Sequence, residues 1–263
     1  MDAAERTRAA AALWDAGVSR VPIAPLTESY PSIVATDAYE IQQINVQRRI
    51  DGGASVRGYK VGLTAKAMQE LLGVDEPDFG HLLGDMFVDE SSVVPMGRFV
   101  QPRVEPEVAF VLDRPVRGPG VTVADVLRAT AFVVPAIEIV DSRIADWRIG
   151  LADTIADNAS SAALVLGGSP TLLTSIDVRL LPVTMAVNGE VREKGRTDAV
   201  LGNPAVAVAW LANRLAEFGV GFDEGDVIMP GACTRMIAVA AGDEVRVEFE
   251  GLGHVGVAFG EGG

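Results

Sequence analysis

The residues best placed to act together chemically are carboxylates. Glu105 and Glu107 stand two apart in PRVEPEVAFVL. On a strand, alternate side chains share a face, so both would point the same way. Two like charges on one face repel unless a cation lies between them, although a solvated strand face is the ordinary explanation of such a pair. Glu138 favours the cation. It interrupts the apolar run AFVVPAIEIV, where an ionised carboxylate is costly unless an arginine (Arg103 or Arg143) or a metal pairs with it. Pro106 has no N–H to give, so its strand must be an edge or locally irregular there.

Three further segments carry chemistry. In GYKVG, Lys60 is a candidate acid–base whose pKa partial burial would lower; the alternative is an edge lysine that snorkels. The cluster Asp153, Asp157, Asn158, Ser160 and Ser161 precedes ALVLG and is either a turn closed by Asx bonds or a source of hydrogen bonds to a polar ligand. In PGACTR, Gly231 lets backbone N–H groups approach an anion. Arg235 there offers a fork for a carboxylate, or is an exposed loop arginine, and Cys233 reads as a small packing residue.

The elements that must position these groups are legible in outline. Helices are expected over 2–16 and 37–51, with the proline-broken PIAPLTESYPS between them as an irregular connector. A strand over 56–63 leads to Thr64, which caps a helix with Ala67, Met68, Leu71 and Leu72 on its apolar face and Gly73 as its stop. Buried strands are expected over 104–112 and 131–140, with a short helix between them capped by Thr122 and Asp125. Asn188-Gly189 closes a hairpin. Asn203-Pro204 opens a helix to Phe218, stopped at Gly219, with Val206, Trp210, Leu211, Leu215 and Phe218 as its buried stripe. DEVRVEF and HVGVAF alternate as strands. Helices and strands do not alternate regularly along the chain. The expected class is therefore α+β with a large mixed or antiparallel sheet system, and the helical first 50–60 residues as a small cap.

Composition narrows the chemistry. The 263 residues are 49% apolar, enough for one large domain. Asp and Glu number 36 against 22 Lys and Arg, a net charge of −14, which argues against nucleic acid and anionic membranes as partners. An anionic substrate would need a local cation to overcome that field. One cysteine and two histidines leave no intramolecular disulfide and little support for thiolate zinc or a Cys–His–Asn triad. A metal would be held by oxygen, which points to Mg²⁺, Mn²⁺ or Ca²⁺. No apolar run has the length of a membrane span, and the N-terminal segment lacks the basic start and apolar block of a secretory signal, so a cytoplasmic location is expected.

The blocks GYKVGLT, VDEPDFGHLLGDMF, PRVEPEVAFVL, IEIVDSRIADW and DTIADNASSAALVLGG, in that order, resemble the 2-keto-4-pentenoate hydratase / 4-oxalocrotonate decarboxylase family of the fumarylacetoacetate hydrolase superfamily. The resemblance spans about residue 37 to residue 259. It implies a mixed β-roll with a smaller N-terminal helical region, residues 1–55 being that region and 56–263 the β-rich catalytic part of one structural unit. It places Mg²⁺ or Mn²⁺ on Glu105, Glu107 and Glu138, the active-site lysine on Lys60 and the acidic residue of EPDFG on Asp78. Leu72 would line the site, and the serine of DNASS falls on Ser160 or Ser161. It also implies a homo-oligomer, pentameric or decameric, and a complex with a decarboxylase or aldolase of the same pathway. Two departures stand out: Pro106 lies between the paired glutamates, and PGACTRMI, with Thr234 and Arg235, is closer to relatives that handle dicarboxylates.

The activity implied is hydration of a 2-hydroxy-2,4-dienoate, or its 2-oxo tautomer, to a 4-hydroxy-2-oxoacid, with the cation stabilising the enolate of a small anionic 2-oxoacid and Lys60 or Asp78 moving the proton. The rivals are decarboxylation of a 2-oxo-3-enedioate, hydrolytic C–C cleavage of an acylpyruvate, for which only His81 and His254 could serve, and a silent partner subunit. Intact Glu105, Glu107, Glu138 and Lys60 argue against the last.

Overall fold

The computed structural model describes residues 1–64, 69, 76–90 and 92–261. The helix expected after Thr64, with Leu72 on it, lies outside the described residues apart from Gln69. Helices α1 (Ala3–Ser19), α2 (Leu26–Ser29) and α3 (Ala35–Asp51) come first. Asp2 and Glu5 form a capping box that starts α1. The connector expected to be irregular holds the single turn α2. Asp37, in the first turn of α3, accepts from the Val34 N–H and from Arg6 of α1 at 2.9 Å, which ties the two long helices together.

The remaining chain is β-rich. Strands β1 (Val56–Gly62), β2 (Asp78–Leu83), β3 (Phe87–Val88), β4 (Val93–Pro95) and β5 (Pro102–Leu112) precede α4 (Val123–Ala129). Then come β6 (Thr130–Asp141), α5 (Leu151–Ala156), β7 (Ser161–Leu166), β8 (Pro182–Val187), β9 (Glu190–Arg196) and α6 (Pro204–Ala216). The chain closes with β10 (Val227–Met229), β11 (Ile237–Ala238), β12 (Glu244–Phe249) and β13 (Gly253–Gly260). One mixed sheet has the order β2-β1-β10-β5-β6-β7-β3, with β11 also on β5; the second has the order β4-β13-β12-β8-β9. The class is the expected α+β, with mixed sheets.

Alternation along the strands divides the large sheet into two faces. Val104, Val108, Phe110, Ile137 and Ile139 face the main core, which also takes in α1 and α3 through Leu13 and Ile41. The opposite face buries a smaller cluster of Ala109, Ala136, Leu164 and Met229. Glu105, Glu107 and Glu138 share the pleat of that smaller cluster, so they stand on an apolar floor inside the curl of the sheet.

Three local expectations are settled. Asn188 and Gly189 have φ 53° and 80°, the two positive values a type I′ hairpin turn needs. Pro106 sits in a central strand, yet its carbonyl accepts from the Cys233 N–H, so its N-edge faces the gap between β10 and β11 and the β5–β6 ladder is undisturbed. The stripe expected on α6 is corrected. Its buried side is Ala205, Val208, Leu211, Ala212 and Leu215, while Val206 and Phe218 are 37% and 41% exposed. Leu211 and Leu215 hold as expected, but small alanines fill the rest of the contact, which a reading of the large residues alone missed.

Candidate active site

The register of β5 on β6 sets Glu105 directly opposite Glu138, with Glu107 opposite Ala136. Like charges facing each other across an antiparallel pair destabilise it. Burial sharpens the conflict, because Glu107 and Glu138 are fully inaccessible. Glu107 Oε2 accepts the Gly231 N–H at 2.7 Å. Glu107 Oε1 and both Glu138 oxygens have no hydrogen-bond partner among the described residues. One carboxylate oxygen from each of the three lies within 4.8 Å of the others. Burial first, and then Glu138, pushes the Glu105 carboxyl up to about 8. Burial, Glu138 and Glu105 push Glu107 well above the carboxylate range. Converging buried oxygens with spare lone pairs and unrelieved repulsion fit a hard divalent cation.

Lys60 is the fourth charge. Its Nζ lies 3.3 Å from Glu138 Oε2 and donates to the Ala159 carbonyl at 3.1 Å. Three strand spacings, roughly 14 Å on a flat sheet, separate β1 from β6. Contact therefore requires the curl that turns these strands toward one another. The expected lowering of the lysine pKa is corrected. Burial pulls it down, but Glu138, Glu105, Asp78 and Glu107 together outweigh burial and favour the ammonium. Neither arginine weighed as a partner for Glu138 reaches it: Arg103 lies over the Trp147 ring, and Arg143 pairs with Asp157.

Asp78 opens β2 opposite Gly62 of β1. It is buried, and neither carboxylate oxygen has a hydrogen-bond partner among the described residues. Burial raises its pKa, and Lys60 opposes that. A Cβ on Gly62 would overlap Asp78 Oδ1 and come within 3.5 Å of Lys60 Nζ. A bare backbone at Gly62 thus leaves the space that Asp78 occupies on the Lys60 side of the strand.

The DNASS segment makes a strained turn. Asn158, Ala159 and Ser160 have φ of 55°, 51° and 54°, a left-handed run that only Asn adopts readily. Fixed contacts hold it. The Asn158 side chain accepts from the His81 N–H at 2.8 Å and donates to the His81 carbonyl at 2.9 Å. Asp157 accepts the Arg143 N–H at 2.9 Å, and Arg143 Nη2 donates to the Asp157 carbonyl at 2.7 Å. Gly80 is required because a Cβ there would overlap the Asn158 carbonyl. The result is a carbonyl, that of Ala159, aimed at Lys60. Ser160 and Ser161 are both buried, and neither hydroxyl has a hydrogen-bond partner among the described residues. Ser160 belongs to this turn, whereas Ser161 starts β7 and lines a cavity toward α1 and α3.

Sequence reasoning did not find the roles of Asn158, Gly62 or Gly80, because each acts on backbone or by what it lacks. It also passed over His81 outside the hydrolase alternative. That ring packs on Tyr59 at 5.2 Å, and burial pushes its pKa down to about 4. The late loop is only partly gathered in. Gly231 delivers its N–H to an anion as expected, the anion being Glu107. Thr234 donates its hydroxyl to the Arg235 carbonyl at 3.0 Å, and the Arg235 side chain is 86% exposed and bridges Glu193 at 2.8 Å.

Comparison with known proteins bears on this arrangement. The family described as fumarylacetoacetate (FAA) hydrolase C-terminal matches residues 58–258. The chain is 46% identical to a 2-keto-4-pentenoate hydratase of Paraburkholderia phymatum over 96% of each chain. It is 42% identical to a 2-hydroxyhexa-2,4-dienoate hydratase of Comamonas testosteroni over 95% of each. Among solved structures, 4-oxalocrotonate decarboxylase from Pseudomonas putida G7, complexed with magnesium and adipate, superposes with a TM-score of 0.94 at 35% identity, covering 98% of both chains.

Proposed function

The chain belongs to the fumarylacetoacetate hydrolase family, and on that premise we propose that it is a divalent-metal-dependent hydro-lyase adding water to a 2-hydroxy-2,4-dienoate, or its 2-oxo tautomer, to give a 4-hydroxy-2-oxoacid. The observation that carries the reading is the convergence of three carboxylates, buried Glu107 and Glu138 and half-buried Glu105, near Lys60 and Asp78 in a curled sheet.

Glu105, Glu107 and Glu138 would hold Mg²⁺ or Mn²⁺, which supplies Lewis-acid charge for a 2-oxoacid that a −14 chain would otherwise repel. Lys60, fixed by Glu138 and the Ala159 carbonyl, presents an ammonium beside the reacting oxygens. Asp78, buried on the Lys60 side of Gly62, moves the proton between carbon and water. Such placed acid–base help is worth about 10²–10⁴-fold in rate. Ser160, whose buried hydroxyl has no partner among the described residues, orients the substrate from the turn behind Lys60, and the Thr234–Arg235 loop is assigned to its distal end. The assembly is a homo-oligomer, which light scattering reads directly.

Identity above 40% to two hydratases over nearly the whole chain supports water addition. The decarboxylase neighbour gives the second reading, because the same charges would stabilise the enolate left by CO₂. The test is NMR of products from purified protein and Mg²⁺ with 2-hydroxypenta-2,4-dienoate and, separately, with 2-oxo-3-hexenedioate. The proposal expects 4-hydroxy-2-oxopentanoate from the first. CO₂ release from the second, with no hydration of the first, would replace it with the decarboxylase.

A further inference from the structure

A cavity of about 320 Å³ lies on the other side of the Asp157–Ser161 turn, between α1 and α3 and the ends of β2 and β7. None of the carboxylates that converge on Lys60 lines it. Its size is at the lower end of small-molecule sites. Leu13, Val46 and Leu83 give it an apolar side. Two residues of its lining each carry a polar atom without a partner among the described residues, Ser161 Oγ and Gln42 Oε1. Both residues are almost wholly buried, at 4% and 0% exposure. The Gln42 amide nitrogen donates to the Phe79 and Ile155 carbonyls, both at 2.9 Å, which fixes Oε1 as an acceptor awaiting a donor. Leaving such atoms buried and unmatched is costly.

The cavity carries a small positive excess, four arginines against Asp85, Asp141 and Asp157, and Asp141 is taken up by the Val100 and Gln101 N–H groups. Arg20, Arg49, Arg98 and Arg143 all line it. Arg49 and Arg143 are matched by Asp85 and Asp157. Arg20 and Arg98 are anchored instead by backbone, Arg20 Nε on the Gly97 carbonyl at 3.0 Å and Arg98 Nη2 on the Asp85 carbonyl at 2.7 Å. Neither meets a carboxylate among the described residues. Each thus keeps guanidinium N–H groups for an oxyanion.

We propose that this cavity is a second ligand site, taking a small hydroxylated organic acid whose carboxylate lies between Arg20 and Arg98, whose carbon chain packs on Leu13, Val46 and Leu83, and whose hydroxyl satisfies Gln42 Oε1 and Ser161 Oγ. The site is distinct from the proposed catalytic one. It shares only the turn, which shows Ala159 to Lys60 on one side and Asn158 and Ser161 to the cavity on the other.

The experiment is calorimetric titration of the Mg²⁺-loaded protein with 6-hydroxyhexanoate, hexanoate and inorganic phosphate. It is repeated on Glu138→Gln, on Arg98→Gln and on Arg20→Gln, with near-ultraviolet circular dichroism confirming that each variant is folded. The expected result is saturable binding of 6-hydroxyhexanoate, tighter than hexanoate and far tighter than phosphate. It should be unchanged in Glu138→Gln and weakened roughly tenfold or more in each arginine variant. Binding lost in Glu138→Gln but kept in Arg98→Gln would move the acid to the catalytic carboxylates and overturn the proposal, whether or not the hydratase reading stands. Absence of saturable binding by either acid, or phosphate binding as tightly, would overturn it too.

Discussion

Lys60 Nζ lies 3.3 Å from Glu138 Oε2, and this pair joins the two halves of the site. Glu138 faces Glu105 across the β5–β6 ladder; Lys60 rests on the Ala159 carbonyl and shares Gly62 with Asp78. With its carboxyls ionised the cluster carries more negative than positive charge, which a divalent cation would balance.

That imbalance makes Glu105→Gln informative. In metal-free protein above about pH 8, where Glu105 is ionised, the substitution removes one of two opposed charges and should raise the melting temperature by about 2–4 °C, for a gain of roughly 1 kcal/mol in a chain of this size. Mg²⁺ should stabilise the wild type and hardly affect the variant. Differential scanning calorimetry with and without Mg²⁺ reads both; a variant less stable than the wild type when both are metal-free would contradict the crowding argument.

Metal affinity should climb with pH. Glu105 is pushed up to about 8 and Glu107 also lies above the carboxylate range, so a cation must displace protons. Mn²⁺ affinity should rise about tenfold per pH unit for each proton displaced, and the slope should ease as pH passes about 8 and Glu105 loses its proton. In metal-free protein the sign for stability is the reverse. A carboxyl whose folded pKa is raised keeps its proton while the unfolded chain has lost it, so stability falls as pH rises from 4.5 toward 8. Calorimetric titrations in buffers of different ionisation enthalpy measure the proton release.

Lys60→Met and Asp78→Asn should each cost about 10²–10⁴-fold in kcat. Asp78→Asn should keep Mn²⁺ affinity close to that of the wild type. Gly62→Ala should act like Asp78→Asn, since the new methyl must push Asp78 aside. Steady-state kinetics beside Mn²⁺ titration separate these effects from loss of the metal. Full activity in Gly62→Ala would remove Asp78 from the chemistry.

How much of this the sequence revealed depends on the range of the forces involved. The shared face of Glu105 and Glu107 follows from the period of a strand and was legible. The pairing of Glu105 with Glu138 is a register between strands joined through α4, which no local pattern encodes. Lys60 was visible as a lysine among apolar neighbours. Its ammonium character was not, because the carboxylates that favour it come from β2, β5 and β6. The turn at Asn158–Ser160 looked like a polar loop. Its left-handed backbone at Ala159 and Ser160 opposes local preference and is held by His81 and Arg143 from elsewhere in the chain. The burial side of α6 was misjudged for a different reason: close helix packing selected alanines, which a reading for large apolar residues discounts.

His81 gives a stability test away from the metal. Its ring is buried, with a folded pKa of about 4 against an ordinary 6.5. The unfolded chain takes up the proton first, so this contribution is full above 6.5 and is lost as pH falls toward 4, by about 3 kcal/mol. Urea unfolding of metal-free wild type and His81→Gln at pH 7 and pH 4.5 should show the gap between them narrowing as pH falls. A gap that does not change with pH would mean that the ring is not held neutral.

The most direct measurement counts Mn²⁺. Titration of wild type and Glu138→Gln at pH 8, followed by electron paramagnetic resonance of the free ion, should give one tight site per chain in the wild type. In Glu138→Gln the affinity should be at least about 100-fold weaker. Equal affinity in the two proteins would mean that Glu105, Glu107 and Glu138 are not the metal site.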